Sequence, residues 1–268
     1  MSRVVFCFVV DVLGVTQLHD VVYMVCFSSS TIVRFNATTR ERLTDIHIKD
    51  LKDPRDIVAC EQTSRLYVPD SRDRVWRVSA DGADIKLWWT KSSTDTFRLT
   101  TLSMTSTRLL VTSLDTKQLI QMDSLGDEFD SLSDELRRVQ LPDDMEPRHA
   151  VESPTTTFIV SHENKQLKQW RMSEVNVDGQ VLRQFTGSRL SPLGWTRHVV
   201  IDSHGNVFVA DGNNRRILLL DAQLRLRRVI IDEQLNDKHP RRLCYIEQTG
   251  QLLVGLLDSV VVFDVLPR

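Results

Sequence analysis

The chain has 268 residues, of which 41% are hydrophobic and 26% charged, and these proportions exclude wholesale disorder. Its formal net charge is −2, with Lys and Arg spread along the whole length. This argues against a generally basic nucleic-acid binder but leaves a local basic patch open. No apolar run approaches the roughly 18 residues that a membrane-spanning helix needs.

The four cysteines, at positions 7, 26, 60 and 244, lie far apart and include no CxxC pair. A disulfide framework or a zinc site would need closer spacing. We therefore expect free thiols in a reducing compartment, and a cytoplasmic protein without membrane attachment.

An apolar triplet followed by a polar turn and a second apolar strand recurs six times along the chain. The middle residues of the triplets are Tyr23, Tyr67, Leu110, Ile159, Phe208 and Leu253. They are 43 to 49 residues apart, and the segments are short, β-branched and aromatic, which favours strands over helix pairs. About four strands fit into each repeat, as in one blade of a propeller. The sequence predicts an all-β six-bladed β-propeller of four-stranded blades, with residues 1–268 forming a single domain.

An inner strand precedes each triplet, most clearly at 54–59 and 197–201, and outer strands follow, as at 83–89 and 180–185. The sixth repeat ends without an outer strand, while residues 3–10 precede the first inner strand and have no other place. We expect residues 3–10 to supply the missing strand and close the ring, which would remove an open sheet edge.

The fifth repeat resembles the NHL repeat. The resemblance is carried by residues 198–211 (HVVIDSHGNVFVAD) and by Asn214-Arg215-Arg216-Ile217. Gly205-Asn206 suits a tight hairpin turn, and Asp211 can accept hydrogen bonds from turn amides. The resemblance implies a propeller like the C-terminal domains of TRIM-NHL proteins, which bind RNA or protein partners. Peptidyl-hydroxyglycine lyase and calcium-dependent lactonase propellers, which are enzymes, share this architecture. No RING, B-box or coiled-coil segment is present to carry ligase activity.

Arginine precedes the inner strand in five of the six repeats. These residues are Arg55, Arg98, Arg148, Arg197 and Arg241, and Asp11 takes the place in the first repeat. One interpretation is an electropositive rim at one mouth of the channel, which would receive phosphates or acidic side chains. The other is that the arginines brace loops by bonding to carbonyls and carboxylates of neighbouring blades.

His149 and His198 follow two of these arginines in equivalent places on neighbouring blades. A zinc site would need a third ligand, such as His239 or Asp56, and nothing in the sequence secures one. Ordinary hydrogen-bonded histidines are the expectation, with no metal and no cofactor. No catalytic motif is present, so we expect a protein that is not an enzyme.

Trp88 and Trp89 adjoin on a predicted outer strand, where alternation would expose one of them. An exposed indole offers a surface on which a nucleic-acid base can stack.

The sequence favours a monomeric, non-enzymatic recognition module that binds a protein partner on one face of the propeller. An alternative is an RNA-binding domain, similar to TRIM-NHL propellers, that uses the arginine-ringed mouth. A remote alternative is a metal-dependent lyase or hydrolase in the channel.

Overall fold

The computed structural model describes residues 4–7, 11–91, 98–105, 108–123, 135–231, 235 and 238–265. The described residues form 24 strands, arranged in six antiparallel sheets of four strands each. Within these residues, no helix is long and apolar enough to cross a bilayer. The molecule is the predicted all-β six-bladed propeller.

The strands are numbered in chain order, and the first of them, β1 (Val4–Cys7), belongs to blade six. Blade one contains β2 (Val12–Leu18), β3 (Val21–Cys26), β4 (Thr31–Asn36) and β5 (Ile46–His47). Blade two contains β6 (Val58–Cys60), β7 (Arg65–Pro69), β8 (Arg74–Ser79) and β9 (Ile85–Thr90). Blade three contains β10 (Leu99–Thr105), β11 (Arg108–Ser113), β12 (Gln118–Asp123) and β13 (Glu135–Gln140).

The second half of the chain repeats the arrangement. Blade four contains β14 (Met145–Glu152), β15 (Phe158–Asn164), β16 (Gln169–Val175) and β17 (Val181–Phe185). Blade five contains β18 (Thr196–Ile201), β19 (Val207–Asp211), β20 (Arg216–Leu220) and β21 (Leu226–Ile231). Blade six contains β22 (Arg242–Ile246), β23 (Gln251–Gly255) and β24 (Ser259–Asp264), with β1 as its outer strand.

The N-terminal strand closes the ring, as the sequence predicts. β1 pairs antiparallel with β24, with Val4 opposite Val262 and Cys7 opposite Ser259. Positions 3 and 8–10 of the predicted closing segment lie outside the described residues. Both ends of the described chain therefore share one sheet, in which β1 covers the edge of β24 and completes the four strands of blade six.

The strand sequences follow from how the blades pack. β19 is buried along its whole length because neighbouring blades cover both of its faces, whereas the outer strand β17 is almost entirely exposed. Apolar clusters join adjacent blades, as where Leu18 and Tyr23 of blade one pack with Leu66 and Val68 of blade two. Fully burying one such side chain stabilises the fold by about 1.5–3 kcal/mol.

The turn residues quoted for the NHL resemblance adopt the expected local structure. The Asp202 N–H donates to the Asn206 carbonyl at 3.0 Å, and Gly205 has a φ of 82°, a left-handed conformation that favours glycine. The buried Asp211 carboxylate accepts the Gly194 N–H at 2.8 Å and the Nε–H of Arg216 at 2.7 Å.

The prediction that one of Trp88 and Trp89 is exposed is wrong, because both indoles are buried. The pairing of β8 with β9 shifts register between Val75 and Trp76, which lie opposite Trp89 and Leu87. Trp88 is thus the extra residue of a β-bulge, and a bulge breaks the strict alternation of side chains. No exposed stacking platform exists at this strand.

The thiols of Cys26 and Cys244 are free, as expected. Burial raises the pKa values of Cys26 and Cys244 to about 11. Both thiols therefore stay protonated and unreactive at neutral pH.

Candidate functional site

The inner strands start at one mouth of the central channel, and β-bulges mark the start in four blades. The extra residue of each bulge is Leu13, Thr100, Arg148 or Arg197. In blades two and six the corresponding residues are Arg55 and Arg241, whose N–H groups donate to the carbonyls of Pro69 and Gly255. We call these six places the rim positions. A bulge re-aims the side chain at the point where pairing begins.

A cavity of about 290 Å³ opens at this mouth. It is lined by Leu13, Arg55, Thr100, Thr101, Arg148, Trp195, Arg197 and Arg242. Three of the five arginines named from the sequence therefore meet in one cavity. Arg242 and Trp195 were not predicted, although Trp195 lies two residues before Arg197, which is the spacing of side chains on one strand face.

The other two predicted arginines do not line the cavity. The register of blade three places Thr100, and not Arg98, at the rim position, because Leu99 pairs with Ser113 and Thr101 with Thr112. Arg98 is exposed near Arg55. Arg241 instead forms an ion pair with Asp11 of blade one at 3.0 Å.

Arg197 differs from the other arginines at the mouth. Its half-buried guanidinium lies over the Trp195 ring, with Cζ 3.2 Å from the ring centroid. No carboxylate of the described residues lies within ion-pairing distance of it. Burial, followed by repulsion from Arg241, Arg242 and Arg148, lowers the pKa of Arg197 to about 10. Asp11, which pairs with Arg241, opposes this shift, so the described part of the chain compensates the positive charge at the mouth only in part.

Arg55 and Arg148 combine bracing with exposure to the cavity. Arg55 donates to the Leu99 carbonyl of the next blade at 2.5 Å, and burial lowers its pKa. Arg148 is 3.6 and 3.7 Å from Glu146 and Glu163, beyond normal hydrogen-bond length. Its buried Nε has no hydrogen-bond partner among the described atoms. The bracing interpretation therefore fits Arg55, fits Arg148 weakly and does not fit Arg197.

A second ring of side chains lies directly below the rim positions. These next residues along each inner strand are Gly14, Asp56, Thr101, His149, His198 and Arg242. We call them the inner ring. Gly14 is required there, because a Cβ would lie 2.6 Å from the Ile57 nitrogen. Asp56, Thr101, His149 and His198 are almost wholly buried, whereas Arg242 is partly exposed and lines the cavity.

The inner ring brings together the predicted histidine pair and Asp56. The His149 and His198 rings stack with centroids 3.8 Å apart, and His198 Nε2 lies 3.9 Å from Asp56 Oδ2. Burial raises the pKa of Asp56 to about 6, while Arg242, 3.6 Å away, opposes this rise. Burial lowers the pKa of His149 to about 3 and that of His198 well below its usual value. Both imidazoles are therefore neutral at pH 7.

Backbone hydrogen bonds engage most of the imidazole nitrogens. The N–H groups of Val199 and Leu243 donate to the Nδ1 atoms of His149 and His198 at 3.4 and 3.3 Å. These bonds place the protons on Nε2, and His149 Nε2 donates to the Leu102 carbonyl at 3.1 Å. A metal ion held by Asp56 and both histidines would have to break such bonds, so the geometry favours a structural network.

The two residues that the sequence suggested as a third metal ligand, Asp56 and His239, lie in different places in the structure. Asp56 lies within 4.8 Å of the two imidazoles, ligand atom to ligand atom. His239 is engaged elsewhere, with its Nδ1 2.8 Å from the Gly212 carbonyl.

The far side of the inner ring borders a chamber of about 180 Å³. Apolar residues such as Val15, Val58 and Val200 contribute much of its lining, together with the protonated Cys244. The chamber is lined by neutral groups, so of these two cavities the mouth with the rim positions is the charged one.

Comparison with solved structures finds the same architecture in proteins of low sequence identity. A catalytically inactive variant of virginiamycin B lyase from Staphylococcus aureus, solved with quinupristin, matches 97% of this chain and 98% of its own, with a TM-score of 0.70 and 9% identity. Hydrazine synthase of Kuenenia stuttgartiensis matches 96% and 97%, with a TM-score of 0.66 and 10% identity. The chain is a six-bladed β-propeller.

The propeller also resembles a protein of unknown function from Bacteroides caccae, with a TM-score of 0.64 and 14% identity over 87% of this chain and 81% of that one. At such identities the likeness shows the fold alone. No protein-family model and no curated protein sequence matches the chain. The NHL resemblance of the fifth repeat therefore stays a prediction.

Proposed function

We propose that this propeller is a recognition module whose arginine-lined mouth binds an acidic segment of a protein partner. The observation that carries the proposal is the charge at Arg197, which neighbouring arginines repel and which no described carboxylate pairs. A carboxylate entering the cavity would relieve that repulsion. The planar guanidinium can hold it through two parallel hydrogen bonds, which are stronger than neutral ones.

The surroundings of the mouth favour a protein over a nucleic acid. Carboxylates stand beside the outer arginines, with Asp11 paired to Arg241 and Asp73 3.9 Å from Arg55. Binding a phosphate backbone calls for a continuous basic track. A mixed surface with one unneutralised centre suits the insertion of a single acidic side chain.

RNA is the second candidate, and one observation favours it. The Trp195 side chain is exposed at the mouth and lies against Arg197. An exposed indole beside a guanidinium is a surface on which an unpaired base can stack.

Fluorescence anisotropy with labelled hexaglutamate tests the proposal, with labelled hexalysine as the probe of opposite charge. We expect saturable binding of hexaglutamate and none of hexalysine. Arg197→Gln should weaken hexaglutamate binding at least ten-fold. The control Arg227→Gln removes the same charge from exposed strand β21 and should change affinity less than two-fold. Absence of saturable binding, or equal losses in both variants, would reject the proposal.

A labelled single-stranded RNA of mixed sequence distinguishes the two candidates. For RNA, affinity should fall with salt at a log–log slope of about 0.7 for each phosphate neutralised. A steep slope, together with an affinity for RNA above that for hexaglutamate, would support RNA as the partner instead of a protein.

A further inference from the structure

Two tryptophans connect the mouth to a second cavity on the same face of the propeller. Trp195 lines the mouth, and its ring centroid lies 6.3 Å from that of Trp170, with the planes inclined at 38°. Arg197 lies over Trp195, and Arg148 lies over Trp170 with Cζ 5.5 Å from the ring centroid. The side chains therefore form a continuous arginine and tryptophan stack that leaves the mouth between blades four and five.

The second cavity, which we call the side groove, has a volume of about 510 Å³. It is lined by Lys168, Gln169, Trp170, Thr186, Gly187, Ser188, Arg189, Pro192 and Leu193. Lys168 and Arg189 are exposed and make the groove basic. One wall is shaped by Gly187, which has a φ of 84° and whose Cβ would lie 2.6 Å from the Ser191 carbonyl oxygen.

Exposed apolar side chains flank the side groove. Leu190 is 99% exposed and Leu167 is 55% exposed, and each adjoins a lining residue in the chain, Arg189 and Lys168 respectively. Trp195, at the other end of the stack, is 37% exposed. Exposed apolar groups clustered among polar ones mark surfaces that bind partners. Here the surrounding charges are basic, so the complementary partner carries acidic and apolar side chains together.

We infer that the mouth and the side groove together bind one extended segment of a protein partner, in which an aromatic residue and an acidic residue are two positions apart. The inference rests on the proposed function, because it places the acidic side chain at Arg197. In an extended chain, side chains two residues apart point the same way and lie about 6.6 Å apart. Arg197 Cζ lies 3.2 Å from the Trp195 centroid, which lies 6.3 Å from the Trp170 centroid, so one extended segment with that spacing can reach both Arg197 and Trp170. The aromatic ring then contacts Trp170 in the side groove.

Labelled octapeptides test the inference by anisotropy. The first carries Glu and Phe two positions apart in a Gly-Ser background, the second has Ala in place of Phe, and the third has Phe four positions from Glu. We expect the first to bind about ten-fold more tightly than the other two, since burial of one aromatic side chain supplies at least that factor.

A variant of the side groove provides the matched test. Thr186 is exposed and lines the groove, so Thr186→Trp should fill it, while Thr186→Ser should not. Thr186→Trp should abolish the preference for the first peptide. Thr186→Ser should keep the preference.

The outcomes separate this inference from the proposed function. Equal affinity for all three peptides, with hexaglutamate still bound, overturns the inference and leaves the proposed function standing. A preference that survives Thr186→Trp also overturns it, because the aromatic residue then binds elsewhere. Failure of hexaglutamate to bind the unmodified protein removes the proposed function and this inference with it.

Discussion

Arg197 and Arg216 lie in the same blade and meet opposite electrostatic surroundings. Arg216 donates from Nε to the fully buried Asp211 at 2.7 Å. Arg197 faces three other arginines, and no described carboxylate pairs with it. A buried charge with a partner is a part of the fold, whereas a half-buried charge held among like charges costs free energy unless a ligand supplies its partner. The difference separates structural from functional arginines within one repeat.

The side chains of the inner ring resemble Arg216, because most of them are paired with other groups of the protein. Its histidines are neutral and bonded to backbone groups of neighbouring blades, and its Asp56 faces Arg242 at 3.6 Å. Asp56 and both histidines are almost wholly buried. The mouth above them is solvent-accessible, so a ligand reaches the rim arginines before it reaches these three residues.

Arg216→Ala should produce the largest loss of stability. The substitution leaves the buried Asp211 carboxylate without its cation, and breaking a buried pair in this way costs about 3–5 kcal/mol of the free energy of unfolding. Urea denaturation followed by circular dichroism measures the loss. Arg227→Ala, at an exposed outer-strand position, is the control and should stay within about 0.5 kcal/mol. A loss below about 1 kcal/mol would show that Asn214 and Gly194, which also bond Asp211, suffice without the cation.

Acid should destabilise the protein through the buried histidines, with a smaller effect than the loss of Arg216. His149 has a pKa of about 3 in the folded protein and about 6.5 when unfolded. Below pH 6.5 the unfolded chain binds more protons at this residue, so its contribution to stability is lost as the pH falls towards 3. At pH 5 the loss is about 2 kcal/mol at 1.36 kcal/mol per pKa unit.

Comparison with His149→Gln isolates this effect. Both proteins should be unfolded in urea at pH 7 and pH 5, and the unmodified protein should lose about 2 kcal/mol more between the two. Asp56, whose pKa is raised to about 6, acts with the opposite sign because the folded state binds its proton more tightly. It is present in both proteins, so the difference reports His149. The same pH dependence in both proteins would mean that His149 is protonated in the folded state.

The sequence predicted the fold well because blade packing leaves a strong pattern. Strands covered on both faces, such as β19, read as apolar runs, and the runs recur at a nearly constant interval. The closing strand was predictable because the sixth repeat lacked an outer strand of its own. These inferences depend on burial, which hydrophobicity reports directly.

The candidate site was only partly predictable, because it depends on register. Arg98 lies beside the start of an inner strand as Arg197 does, yet a bulge two residues later moves Thr100 to the rim position. Arg241 and Arg242 are adjacent in sequence, yet Arg242 lines the cavity while Arg241 pairs with Asp11 of blade one. The prediction that one of Trp88 and Trp89 is exposed was wrong for the same reason, because a bulge turns Trp88 inward. Local register shifts leave no signal in composition or spacing.

Arg197→Gln should have the smallest effect on stability of these three substitutions. It tests directly whether Arg197 serves ligand binding while Arg216 serves the fold. Losing the contact with Trp195 costs about 0.5–1 kcal/mol at such a site, and relief of repulsion from Arg148, Arg241 and Arg242 offsets that cost. The free energy of unfolding should therefore change by less than about 1 kcal/mol, while hexaglutamate affinity falls at least ten-fold. A loss of stability like that of Arg216→Ala would make Arg197 a brace. A nearly unchanged free energy of unfolding together with a loss of hexaglutamate affinity is the result expected if Arg197 serves to bind a partner.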